Sequence, residues 1–417
     1  MPQVNDIVEK FIKPYLAKHH PNADIVIMAG SYGRAMKQGS YQPIASSDID
    51  LVIIYSDLEK GGFKAATKIY TMEDVGKAMG GESRSMMIDT NIHDFASLHY
   101  HDKVVREITN MAFMYVMLDE GYILIDKNGV APILQEKAAK FLAEGPAPTP
   151  RAVWQGEIAR LETFLQDLRT AGSTEEKRFL GLMCLIHVCE YTLGLHQYWR
   201  SGSNQAYRSI SKFFPEDGRK ITDSFSALIR HGDAAGVEAL LEEFVARGKQ
   251  LLPELPESAQ LSLYPVDNFV PKQESQQIND MFMKFLTEHL CEALETSQKR
   301  GELAYLENIS AATIFLKSIL EAKNGEPGGD GKAGMHYLGN KLPDVLPVML
   351  QAIDENEHEP VIRLANEALS HMGGINYTRL QNHYLEDVAR IYAAQQANKT
   401  TAPALNKQQW FKPGFNP

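Results

Sequence analysis

The sequence predicts an α+β protein, with a small mixed-sheet domain followed by two all-α helical bundle domains. Three observations carry that expectation. Short Ile- and Val-rich runs alternate with helical spacing up to about residue 145. The segment Gly145-Pro-Ala-Pro-Thr-Pro150 then breaks the pattern, since prolines so close together cannot continue a helix. Every periodic stretch beyond it has helical spacing. The expected divisions are a sheet domain at 1–145, a helical domain at 146–252, a linker at 253–275, a C-terminal helical domain at 276–396 and a tail at 397–417.

Taken in order, Val4 to Leu16 has helical spacing through Val8, Phe11, Ile12 and Tyr15. Strands are expected at Asp24–Ala29, Asp50–Tyr55, about Ser85–His93 and Tyr122–Asp126, each bounded by turn residues. Between the second and third lies Asp57–Ser83, which reads as an insertion interrupted by Gly61-Gly62 and Gly80-Gly81. A long helix is expected over about Lys103–Leu118. After the proline segment, Trp154, Ile158, Leu161, Leu165 and Leu168 share one helix face, and Ser173-Thr-Glu-Glu caps the next helix. That helix, about Glu175–Trp199, is apolar on nearly all sides, as a central bundle helix should be. Helices at about Lys220–Arg230 and Ala234–Leu251 follow. The third block starts with Ile278, Met281, Phe282, Phe285 and Leu286 and ends near Ala394. It shows no cluster of catalytic type, so it is expected to shape a site, recognise a partner or join protomers.

Composition excludes several classes. The chain has 417 residues, 44% of them hydrophobic and 23% charged, which is ordinary globular usage and excludes disorder or collagen-like order. A formal charge of −11 has the wrong sign for coating nucleic acid through an overall field. The cysteines are Cys184, Cys189 and Cys291, an odd number without a CxxC pair, as in a reducing compartment. The start MPQVNDIVEK lacks a basic region followed by an apolar run. The apolar stretch Leu180–Leu195 is short and carries His187 and Glu190. The expectation is a cytoplasmic location and no membrane.

The chemistry concentrates in two short stretches. The first strand ends in Ala29-Gly30-Ser31-Tyr32-Gly33-Arg34, and the second begins with Ser46-Ser47-Asp48-Ile49-Asp50-Leu51. A Gly-Ser opening a helix offers backbone N–H groups, a hydroxyl and a favourable dipole to a phosphate. Arg34 stands one turn further on. Asp48 and Asp50, two apart on a strand, emerge on one face and repel each other unless a cation lies between them. Mg²⁺ suits such a place, because it takes carboxylate oxygens together with phosphate oxygens and water. Phosphate cradle and cation seat together describe a site for a magnesium–nucleoside triphosphate.

This arrangement resembles the DNA polymerase beta-type nucleotidyltransferase superfamily, whose signature is Gly-Ser, a spacer, then Asp-hydrophobic-Asp-hydrophobic. Here it reads Gly30-Ser31, sixteen residues, then Asp48-Ile49-Asp50-Leu51, with Gln38–Pro43 as a surface insertion in the spacer. The best match to the family's third carboxylate is Asp89, with Asp94 second. The later stretches Gly121–Asp126 and Gly145-Pro146 look like the aminoglycoside-type branch, and the resemblance spans about residues 5–250. It implies two Mg²⁺ ions held by Asp48, Asp50 and Asp89, and transfer of a nucleoside monophosphate (AMP from ATP in the first instance) to a hydroxyl. Gly30, Ser31 and Arg34 would bind the β- and γ-phosphates, and Glu190 would act as general base. No Lys follows Gly202, where relatives carry a phosphate-binding Gly-Lys; Arg208 and Lys212 are the candidates in its place. Two acceptor classes stand: a small hydroxyl-bearing molecule, or a macromolecule such as a protein partner or tRNA. A nucleotide-binding regulator without catalysis would lack one of the three carboxylates, and none is lost.

Each weaker signal has a bland counterpart. Glu190 and His187 share a helix face as a buried hydrogen-bonded pair would. His99-Tyr-His101 has no third ligand and reads as surface. Gly325–Ala333 has the wrong spacing for a P-loop and reads as a flexible loop.

Overall fold

The structure, a computed structural model, describes residues 4–39, 43, 47–63, 66–98, 112–200, 206–256, 283–284, 286–293, 300–324, 345–355 and 357–370. At the N-terminus, α1 starts as helix Val4–Ile7, passes through a π-helical turn at Val8–Ile12 and continues as Lys13–His19. Val8, Phe11, Ile12, Tyr15 and Leu16 are all buried, as their helical spacing requires.

Five strands form one mixed sheet: β1 (Ile25–Met28), β2 (Ile49–Tyr55), β3 (Thr67–Asp74), β4 (Ser85–Asp94) and β5 (Tyr122–Asp126), in the order β3-β4-β2-β1-β5. Only the β2–β4 pair is parallel. The alternation of side chains divides the core. Val26, Met28, Leu51, Ile53 and Ile88 pack toward the N-terminal helix. Ile25, Ile27, Val52 and Ile54 pack on the other face, with Met114 and Leu118 of α3 (Phe113–Glu120) and Ala131 and Ala138 of α4 (Ala131–Glu144). Helix α2 (Gly30–Gln38) follows β1 directly.

Strand β3 lies inside the stretch expected to be an insertion. It is an edge strand, only partly buried, so it lacks the apolar alternation that marks an inner strand. Its strand-forming content (Thr67, Ile69, Tyr70, Thr71) was the remaining signal.

The helical region contains α5 (Arg151–Thr170), α6 (Thr174–Leu195), α7 (Ala206–Phe213), α8 (Pro215–His231) and α9 (Ala235–Leu251). From the third block come α10 (Glu302–Asn324), α11 (Val345–Glu355) and α12 (Glu359–Ser370). The two helical blocks pack on one another through a shared apolar core: Leu182, Leu185 and Phe225 of the first and Leu306, Ile309, Ile353 and Val361 of the other belong to it. Ion pairs bridge the blocks as well. Arg178 Nη2 donates to Asp354 Oδ1 at 2.5 Å and Nη1 to Oδ2 at 3.2 Å, while Arg230 Nε donates to Glu302 Oε1 at 2.9 Å. The break near 253–275 therefore interrupts the sequence periodicity and leaves the core continuous; within it, residues 257–275 lie outside the described residues, as does the tail.

Helix α6 is long and apolar enough to cross a membrane by composition, and 83% of that stretch is buried inside the protein. Its neighbours on all sides explain its lack of a polar face. Cys184 and Cys189 sit in this core as small hydrophobes, and burial pushes both thiols up.

Candidate active site

Strand register builds the acidic half of the site. Parallel pairing sets Asp50 of β2 directly beside Asp89 of β4, and Asp48 precedes Asp50 by two residues. One oxygen from each of the three lies within 4.8 Å of the others. Each pair at that spacing repels by about 3 kcal/mol at an effective dielectric near 20. Burial, then Asp48 and Asp89, hold the Asp50 carboxyl well above the usual carboxylate range. Lys68 of β3 answers part of that charge: its Nζ stands 2.8 Å from Asp89 Oδ2. Burial pulls the Lys68 ammonium down, but Asp89 outweighs it and keeps the group charged. The Arg34 guanidinium also acts on Asp50, and a second ammonium, that of Lys284, bears on all three carboxylates. An all-oxygen donor set of this spacing fits Mg²⁺.

Asp94, the second choice for third carboxylate, ends β4 and is used locally. Its Oδ1 accepts from Ser97 N at 2.7 Å, and its own N–H reaches Ser97 Oγ at 2.9 Å. The structure thus groups Asp89, and not Asp94, with Asp48 and Asp50.

The turn from β1 into α2 closes over this seat. Gly30 has φ +60°, and a Cβ there would stand 1.8 Å from Asp50 Oδ2. Glycine is required on both counts, by backbone conformation and by contact with the carboxylate. Gly33 lets α2 lie against the end of β1, since a Cβ at that position would meet Met28 O at 2.2 Å. Ser31 Oγ is buried with no hydrogen-bond partner among the described residues. Such a hydroxyl beside helix N–H groups suits an anionic ligand. Arg34 Nη1 reaches Glu120 Oε2 at 3.2 Å.

A cavity of about 540 Å³ opens beside the carboxylates. Its floor includes Gly30, Asp50 and Asp89. Its walls carry Arg34, Lys68, Arg200, Arg208 and Lys212, together with the aromatic rings of Phe113, Tyr198, Trp199 and Phe213. The size is ordinary for a small-ligand site. Trp199 is held rigidly: its Nε1 donates to Leu142 O at 2.9 Å, its ring stacks on Phe141 at 4.8 Å, and Phe141 stacks on Tyr115 at 3.9 Å. This column joins the helical region to the sheet domain. Arg208 and Lys212, the expected substitutes for an absent lysine, both line the cavity.

Two residues from the third block also act electrostatically on the acidic seat. Lys284 Nζ is enclosed without a hydrogen-bond partner among the described residues. Burial lowers its pKa, and Asp48, Glu288, Asp50 and Asp89 oppose that shift. Glu288, one turn further on, is pushed well up by burial and then by Asp48. The expectation that this block adds no charge chemistry is corrected here. The available signal was an i,i+4 Lys–Glu pair within the apolar run Met281 to Leu290.

Glu190 goes elsewhere. It lies on α6 and does not line the cavity; its charge bears on Glu307 of α10 inside the bundle. His187 of the same face meets the ring of Phe164 at 5.7 Å. His99, His101, Gly202 and the stretch 325–333 lie outside the described residues.

No protein-family model matches the sequence, and no curated protein matches it significantly. Among solved structures, a nucleotidyltransferase-like protein from Exiguobacterium sibiricum is similar over 60% of this chain and 74% of that one, at 12% identity with a TM-score of 0.30. A likeness this distant carries no argument about function.

Proposed function

We propose that the chain is a metal-dependent nucleotidyltransferase that moves a nucleoside monophosphate, AMP from ATP in the first instance, onto a hydroxyl. The observation that supports this reading is the grouping of Asp48, Asp50 and Asp89 within 4.8 Å, under a Gly-Ser helix start and beside a cation-lined cavity. Two magnesium ions held by these carboxylates would supply Lewis-acid stabilisation of the attacking and leaving oxygens at the α-phosphorus. The chain's own residues bind and orient. Ser31 and the first amides of α2 hold phosphate oxygens, while Arg34, Arg208 and Lys212 offset their charge. Trp199 and the neighbouring rings present an apolar surface to the base. As the bond from the acceptor oxygen to the α-phosphorus forms, pyrophosphate leaves and the hydroxyl proton passes to solvent.

The cavity walls limit the acceptor. Five cationic side chains line the cavity against three carboxylates, those of Asp50, Asp89 and Glu120, among the described residues. With three of those cations set against the phosphates, the cavity of about 540 Å³ favours a small molecule as acceptor. A second reading, transfer to a hydroxyl of a protein partner, draws on Phe113 and Phe213, which line the cavity yet stay 44% and 46% exposed. The net charge of −11 opposes tRNA in that role. Incubation with Mg²⁺ and α-³²P-labelled nucleotides, alone and with fractionated metabolites or proteins, tests the proposal. Metal-dependent label transfer that disappears in Asp50→Asn supports it; label transfer indifferent to Asp50 rejects it.

A further inference from the structure

The cationic wall of the cavity is fastened from behind by the third helical block. Glu307 of α10 is fully buried, and its Oε2 accepts from Tyr207 N at 3.1 Å. Ala206 N donates to the same carboxylate. A residue one hundred positions away thus caps the start of α7, the helix that carries Arg208 and Lys212. The Tyr207 hydroxyl then accepts from Arg208 Nε at 3.1 Å and from Arg300 Nη1 at 3.2 Å. Glu292 accepts from Arg300 and stands 3.9 Å from Arg208 Nη2. Tyr207 itself is buried and contributes nothing to the cavity lining, whereas Arg208 does. An arginine left to itself samples many rotamers and gives up that freedom when it binds an anion. Held at Nε, it has less to lose.

We infer that Tyr207 and Glu307 are positioning residues that hold Arg208 ready for the phosphates of the bound nucleotide. The third block thereby sets phosphate affinity through residues that never touch the ligand. The inference rests on the nucleotide reading of the cavity given above.

The test uses the full chain and calorimetric titration with magnesium tripolyphosphate, Mg–ATP and Mn²⁺ alone. Arg208→Ala should weaken tripolyphosphate binding about thirtyfold, in keeping with loss of a charge-assisted contact. Tyr207→Phe removes only the hydroxyl that orders the guanidinium and should weaken binding about five- to tenfold. In the double variant Tyr207→Phe/Arg208→Ala the loss should stay within about twofold of Arg208→Ala alone, because the hydroxyl acts through the arginine. Glu307→Gln keeps an accepting oxygen for the α7 amides and should stay within about threefold of wild type. Mn²⁺ affinity should be the same in all of them. Tyr207→Phe binding like wild type, or losing as much again in the Arg208→Ala background, overturns the inference while leaving the nucleotide reading intact. A wild-type chain that binds neither tripolyphosphate nor ATP overturns the nucleotide reading, and the inference falls with it.

Discussion

In the sheet domain, parallel register between β2 and β4 brings Asp50 beside Asp89, and a two-residue step adds Asp48. In the helical region, Arg208 lines the same cavity from a helix whose start is capped by Glu307, a hundred residues further along the chain. The acidic half follows from a period of two and one strand pairing, so few contacts determine it. The cationic half depends on long-range packing of several helices, which many contacts determine together. The contrast teaches where each half is fragile. Substitutions near the carboxylates should change chemistry and spare the fold, whereas changes among the helices should reach the site through the fold.

The largest effect tests the helical half as a whole. Truncation after Pro256 strips Leu306, Ile309, Ile353 and Val361 from a core shared with α6 and α8, and breaks the Arg178–Asp354 and Arg230–Glu302 pairs. The expected outcome is an insoluble chain or one without a cooperative thermal transition. A truncated chain that melts cooperatively and binds Mg–ATP as the full chain does would separate the two blocks again.

Next in size is the acidic half. Asp48→Asn or Asp50→Asn should lower nucleotidyl transfer by about a thousandfold or more. The melting temperature should hold or rise slightly, because each substitution relieves carboxylate repulsion. Label transfer and a thermal melt of the same preparations check both parts. A drop in melting temperature with the loss of transfer would mean that the carboxylates hold the fold as well as the ligand.

A smaller effect belongs to the residue that joins the halves. Lys284 bears on all three carboxylates and forms no hydrogen bond among the described residues. Lys284→Met removes a charge that competes with a bound cation, so Mn²⁺ affinity should rise about three- to tenfold. Electron paramagnetic resonance of free Mn²⁺ measures this directly, and weaker binding in the variant would assign Lys284 a supporting role at the seat.

The smallest effect is a pH slope. Burial pushes Glu307 up to about 8, with Glu190 adding to the rise and Arg208 and the α7 amides opposing it. The folded state therefore holds a proton that the unfolded chain releases near the ordinary value of 4.5. This contribution to stability is complete below that ordinary value and is lost as pH rises toward about 8. The melting temperature should fall between pH 6 and pH 8.5 in the wild type and fall less in Glu307→Gln. Parallel slopes in the two proteins would place the proton elsewhere.

The same contrast decides what could be read from the residues. Gly30, Ser31, Asp48 and Asp50 are legible because the chemistry sits on two neighbouring stretches with a recognisable spacing. Asp89 follows from its mid-strand position, and β4 supplies it at the expected register. Lys68 was missed because its strand is an edge with weak alternation. Lys284, Glu288 and Glu307 were missed for a different reason: helical periodicity tells which face is buried but not against which neighbour. Glu190 was chosen because a carboxyl in an apolar helix suggests catalysis; in the structure its charge bears on Glu307 of α10.

The central claim is that these two halves together bind a metal–nucleoside triphosphate. Calorimetric titration of a non-hydrolysable ATP analogue into the full chain, with Mg²⁺ and then with EDTA, tests it most directly. The account predicts one-to-one binding that requires Mg²⁺, disappears in Asp50→Asn and weakens in Arg208→Ala. Binding of equal strength in EDTA, or in Asp50→Asn of unchanged fold, would contradict it.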